Sequence, residues 1–147
     1  MLLPKKDGFY MNPLFEECAE WLRKGNNDLL SARILLYHDK PVTDTACFHC
    51  QQAVEKILKA YLILNSIRFE KNHNLAYLLD ICEKISDKFS EIREKTEALT
   101  PFAVEIRYPG DILDVSLEEA RELLVYAEDI VKFVAQYLPE DLKGFLS

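Results

Sequence analysis

Glycine is scarce in this chain, 4 of 147 residues. That leaves few positions for the tight turns of an all-β meander, and no glycine-rich loop of the kind that cradles phosphates occurs anywhere. Long hydrophobic runs are also missing. No segment approaches the roughly 20 apolar residues of a membrane helix, and no apolar stretch follows Lys5 and Lys6 as in a secretory signal. The chain is therefore expected to be cytoplasmic and to make no membrane contact. It has no basic excess either: 18 Lys and Arg stand against 25 Asp and Glu, a net charge of −7. That balance excludes broad, sequence-indifferent coating of nucleic acid, which relies on many cations neutralising phosphates, but leaves room for a local basic patch.

What is present points to helices. Hydrophobic residues make up 49% and charged residues 29% of the chain. At this length one domain can bury a core without metal or disulfide staples. From Ala46 to Leu64 the residues Ala46, Cys50, Ala53, Ile57, Tyr61 and Leu64 recur at steps of three and four, one stripe of a helix. Cys47, Val54, Leu58 and Leu62 add a second apolar line, leaving His49, Gln52, Glu55, Lys56 and Lys59 on a narrow polar face. A helix this apolar is central to a bundle or lies at a subunit interface. Cys18, Cys47, Cys50 and Cys82 all fall within helical patterns and are read as small buried hydrophobes.

Asn12-Pro13 supplies a cap and an N1 proline for a first helix running to about Tyr37, with Gly25 and Ala32 on its apolar stripe. Pro41 breaks it, and Thr43 or Asp44 is expected to cap the second helix. Asn72 or His73 would cap a short third helix. A fourth is predicted from Ser86 or Asp87 to about Ile106, kinked or briefly interrupted at Pro101 and stopped by Arg107-Tyr108-Pro109-Gly110-Asp111. Ser116 with Glu119 is a capping box that opens the last helix, which Pro139 ends. The fold class is all-α: an antiparallel up-and-down bundle of four long helices plus one short helix, over residues 12–138. Residues 1–11 read as a flexible lead-in and 139–147 as a tail.

Trp21 with Asp28-Leu29 and Ala32, the block FHCQQAVEKILKAYLI, His73-Asn74-Leu75 and Arg107-Tyr108-Pro109, in that order, resemble the HEPN domain family. The resemblance spans about residues 14–138 and lies in the order of the blocks. It implies a helical bundle that often dimerises and is encoded beside a minimal nucleotidyltransferase in toxin–antitoxin-like pairs. Some members are RNases and others bind nucleotides. In the RNases an arginine is followed after about four to six residues by a histidine. The arginine steadies the scissile phosphate and the histidine transfers a proton, without metal or other cofactor. Arg107 occupies what looks like the arginine position, yet Tyr108 through Asp114 contains no histidine.

The expected function is therefore binding of a nucleotide or RNA, as a homodimer and as partner of a nucleotidyltransferase, without the usual RNase motif. The ligand-binding candidates are Arg107, Tyr108, His49, Gln52, Lys56, Lys59 and Asp28. Arg107 can grip a phosphate and Tyr108 can stack on a base. His49, Gln52, Lys56 and Lys59 form a continuous polar ridge that either faces a phosphate or is simply solvated, with Glu55 and Lys59 spaced for an ion pair. Asp28 interrupts an apolar run and needs a partner, for which Arg107 and Lys56 are the candidates. Two alternatives are an active metal-independent RNase using Arg107 with His49 or His73, and a purely structural dimerisation module. Arg33 with His38 and Arg68 with His73 have compatible gaps but lie off the motif position. Glu70 and His73 are spaced like a di-iron ligand pair, but a di-iron site needs two such pairs and further carboxylates, so no metal site is expected.

Overall fold

A computed structural model describes residues 3, 4, 10–104 and 114–146. The helices are α1 (Pro13–Tyr37), α2 (Thr43–Leu64), α3 (Leu75–Ile85), α4 (Arg93–Leu99), α5 (Leu117–Ala135) and α6 (Glu140–Lys143). Most of the expected lead-in lies outside the described residues; within it, Leu3–Pro4 pairs antiparallel with Tyr10–Met11. The fourth helix's expected end at Ile106 and the turn through Asp111 also lie outside them.

The first helix begins where its local chemistry places it: Asn12 Oδ1 accepts the Leu14 N–H at 2.8 Å, and Pro13 takes the first helical position. At its far end the Val42 N–H returns to the Leu35 carbonyl at 3.1 Å, closing a short antiparallel connection. The second helix has no side-chain cap, because Val42 holds the capping position and Asp44 bonds the Thr45 N–H instead. Asn74 caps α3 through the Tyr77 N–H, so neither Asn72 nor His73 does so. Ser116 caps α5, accepting the Glu119 N–H at 3.1 Å.

The expected fourth helix is divided. Asp87–Ile92 and Thr100–Phe102 are 3-10 turns, and only Arg93–Leu99 between them is α-helical. Pro101 supplies no N–H, and in a continuous helix its ring would collide with the carbonyl four residues earlier. The apolar stripe nonetheless stays inside: Phe89, Ile92, Thr96 and Leu99 are all buried, and Phe102 joins them.

Cross-helix bonds set the directions. Cys18 Sγ reaches the Ala60 carbonyl and Asp28 meets His49 and Lys56, so α1 and α2 are antiparallel. Arg33 with Glu128 and Arg121 with the Leu36 carbonyl make α1 antiparallel to α5 as well. Lys95 pairs with Asp129 between α4 and α5. The central helix is α2, which buries 13 of its residues. Full burial of one of its larger aliphatic side chains contributes about 1.5–3 kcal/mol, far more than its helix propensity. Phe89 is fully buried within an aromatic group of Tyr61, Phe133 and Tyr137, with ring centroids 4.6–5.5 Å away.

All four cysteines are buried and free. Burial pushes the Cys18 and Cys47 thiols up to about 11 and Cys82 to about 12, and raises Cys50 further still. Raised thiols carry less thiolate at any given pH, and the thiolate is the reactive form. A colourimetric thiol reagent at about pH 8 should therefore leave the folded protein untouched and titrate four thiols once guanidinium unfolds it. Rapid labelling of the native protein would contradict this core.

Candidate functional site

The facing surfaces of α1 and α2 carry two buried carboxylates, and each gathers its own polar group. Asp28, on the inner side of α1, takes His49 Nδ1 on one oxygen at 2.8 Å and Lys56 Nζ on the other at 2.5 Å. Two turns separate His49 from Lys56 on α2, so a single carboxylate between them binds both. This satisfies a charge that would otherwise be costly in an apolar run. With Nδ1 turned to the carboxylate, the imidazole keeps Nε2 without a partner among the described residues.

Glu55 forms the second group. Its carboxylate accepts from Lys59 Nζ at 2.9 Å, His73 Nδ1 at 3.0 Å and Gln51 Nε2 at 3.3 Å. Gln52 donates to the Gln51 side-chain carbonyl at 2.7 Å, and Gln51 also donates to the His73 backbone carbonyl. Lys59 is 6% exposed, its ammonium 5.3 Å from the Trp21 ring centre and 5.7 Å from that of Phe69. These distances are within cation–π range, so aromatic faces as well as Glu55 compensate the buried charge.

The polar ridge of α2 is therefore neither one continuous ligand-facing line nor a solvated face. His49 and Lys56 turn to Asp28, while Lys59 turns inward to Glu55. Lys56 is the partner Asp28 requires; its other candidate, Arg107, lies outside the described residues together with Tyr108. Of the two off-motif pairs, Arg33 is committed to Glu128, and the exposed His38 accepts the Lys40 N–H. Arg68 and His73 do come together, on one cavity.

That cavity, about 910 Å³, lies between the start of α1, the end of α2 and the connector from Ile67 to His73. The α2 terminus is a Schellman turn: the Ser66 N–H bonds the Ile63 carbonyl and the Ile67 N–H bonds the Leu62 carbonyl. Ser66 takes the left-handed position at φ 58°, which usually falls to glycine. The turn sends Phe69 back over Lys59. Sequence reasoning missed Ser66, Phe69 and Lys71 as cavity residues; the one local sign was an aromatic residue in a polar connector.

A smaller cavity of about 410 Å³ forms at the other end of the bundle, between Phe102, Val115 and the first turns of α5. Among the described residues no group of three or more His, Cys, Asp or Glu side chains could hold a metal ion. No helix among them is long and apolar enough to cross a membrane.

The sequence and the fold resemble those of known proteins. A family model for the HEPN domain fits residues 18–138. A protein of Methanocaldococcus jannaschii named "Putative toxin MJ1304" is 29% identical over 138 residues, covering 82% of this chain and 87% of that protein. The fold resembles the crystal structure of TT1696 from Thermus thermophilus, with a TM-score of 0.67 and 24% identity, covering 83% of this chain and 98% of that one.

Proposed function

The chain belongs to the HEPN domain family, and from that premise we propose that it binds RNA or a nucleotide as a homodimer and does not cut RNA by the family's arginine–histidine route. It would act in the cytoplasm as one member of a toxin–antitoxin-like pair, with a minimal nucleotidyltransferase as its partner. The observation that carries the reading is the run after Arg107, Tyr108 to Asp114, which has no histidine. The toxin name carried by the Methanocaldococcus jannaschii relative supports the pairing.

In this reading Arg107 grips a phosphate and Tyr108 stacks on a base. Asp28 holds His49 and Lys56 in fixed positions, whereas Lys59, turned inward to Glu55, is left out of the ligand contact. Anisotropy of a fluorescent single-stranded RNA tests the assignment. Arg107→Ala should weaken binding by at least about tenfold, the loss of one charged contact. Unchanged affinity would remove Arg107 from the site.

An exposed apolar line supports the dimer. Leu30, Ile34 and Tyr37 recur on the outer side of α1 at steps of four and three, and Val125 on α5 is likewise exposed. Ile34→Asp is expected to lower the mass seen by light scattering to that of one chain. A dimer unaffected by this change would place the interface elsewhere.

One feature favours the rival RNase reading. Asp28 orients the His49 ring and leaves Nε2 without a partner among the described residues, the geometry of a general base.

A further inference from the structure

We infer that the groove between the end of α4 and the first turns of α5 docks a basic segment of a different protein, one in which an arginine stands beside an apolar residue. It stands independently of the RNA reading, because the carboxylates on this groove repel phosphate.

The groove lies beside the break at Pro101. The α4 helix ends at Leu99, and the Thr100–Phe102 turn that follows buries Phe102 and leaves Pro101 exposed. Opposite this turn, α5 presents Glu119, Glu122, Leu123 and Tyr126 on one face. About 410 Å³ lies between the two sides, enough to take side chains of a docked segment. Pro101, Phe102, Leu123 and the Tyr126 ring make its walls largely apolar.

The charge on these walls has one sign. Glu119 and Glu122 are the only charged residues among those described as lining the groove, and both are exposed. The Glu119 carboxylate makes no hydrogen bond or ion pair among the described residues, and that of Glu122 accepts only the Tyr126 hydroxyl, at 2.9 Å. This bond raises the Tyr126 hydroxyl above its ordinary pKa, and Glu94 on α4 pushes the same way. Lys95 opposes them from 5.9 Å above the Tyr126 ring, but its ammonium is committed to Asp129 at 2.9 Å.

Charge complementarity selects the occupant. A second copy of this chain would bring a further net charge of −7 to the contact. A bare inorganic cation would leave the apolar walls unfilled. An arginine answers both features: its guanidinium pairs with carboxylates one turn apart, and its aliphatic stem covers Leu123 and the Tyr126 ring. The apolar residue beside it then packs against Pro101 and Phe102.

Anisotropy of a fluorescein-labelled peptide of alternating arginine and leucine reads this contact on the full-length protein. Saturable binding is expected, with two control peptides, serine for leucine and aspartate for arginine, at least about tenfold weaker. Glu119→Gln with Glu122→Gln should weaken the arginine–leucine peptide about tenfold or more and change the melting temperature little, since both side chains are exposed. Glu140→Gln with Asp141→Asn removes as many charges from the exposed start of α6 and should bind like the wild type. RNA affinity should not fall in the Glu119 and Glu122 variant, which separates this groove from the role of Arg107. No saturable binding, an equal loss in the two double variants, or a serine peptide that binds as tightly as the leucine one would overturn the assignment. So would spermine that displaces the peptide at equal concentration, which would give the groove to a free polyamine. A lower mass by light scattering in the Glu119 and Glu122 variant would also overturn it, by giving the groove to a second copy.

Discussion

Replacing Glu55 with alanine should cost about 3–5 kcal/mol of folding stability, the penalty for stripping one partner from a buried ion pair. Glu55 is 2% exposed, and its carboxylate holds Lys59, His73 and Gln51 at once. Without it the Lys59 ammonium stays buried with no carboxylate, facing Trp21 and Phe69, whose cation–π attraction of about 2 kcal/mol offsets only part of the loss. A domain of this kind has roughly 5–15 kcal/mol in hand, so the change takes a large share. In urea the midpoint should fall sharply with an unchanged slope. Joint replacement, Glu55→Leu with Lys59→Met, should recover most of the loss, because an apolar pair of similar volume needs no desolvation. A loss under about 1 kcal/mol for Glu55→Ala would mean that the pair is solvated.

Gly25→Leu is expected to be comparably damaging, by a different route. Gly25 lets α1 approach α2 so closely that even a Cβ there would stand 2.8 Å from Ile57 Cδ1 and 3.3 Å from the Ala53 carbonyl oxygen. The Ile57 methyl is the end of a side chain and can rotate away; the carbonyl is backbone and cannot. Alanine should be mildly destabilising, since the contact with the carbonyl and the shift forced on the fully buried Ile57 outweigh the gain of about 1 kcal/mol in helix propensity. Leucine must push the helices apart and should cost about 3 kcal/mol or more, which is overpacking at the most extensive contact of the bundle. Circular dichroism melts of the two variants check this. A leucine variant that melts with the wild type would refute the close approach.

The two cases mark what the sequence discloses. Gly25 was legible as a site of close approach because it lies on a helical stripe, and periodicity is local information. The same holds for the Asn12-Pro13 start of α1, the Ser116 cap of α5 and the four buried cysteines. Glu55 and Lys59 were legible as an i,i+4 pair but not as a buried one. Their burial depends on Phe69 and His73 folding back from the connector, a tertiary event that no spacing within α2 encodes. A kink or interruption at Pro101 was legible, but the 3-10 opening of the fourth helix from Asp87 to Ile92 escaped for a related reason: the apolar stripe from Phe89 to Leu99 keeps helical steps even where the backbone is a 3-10 turn. Asp28 was legible as a residue in need of a partner, and Lys56 as a suitable one, because an isolated carboxylate among apolar neighbours is conspicuous. Of the candidate site, Arg107 and Tyr108 rest on the chain's own order of residues and on its family, whereas the cavity of Trp21, Phe69, Arg68 and Lys71 could be assembled only in three dimensions.

The central functional claim is that this protein holds RNA or a nucleotide without cutting RNA through Arg107. Labelled single-stranded RNA incubated in EDTA with the purified wild type and with Arg107→Ala puts it to the test. The account predicts intact RNA in both samples, with binding weakened in the variant. Metal-independent cleavage by the wild type that disappears in the variant would contradict it, and His49, oriented by Asp28, would then be the first candidate for the proton-transferring group.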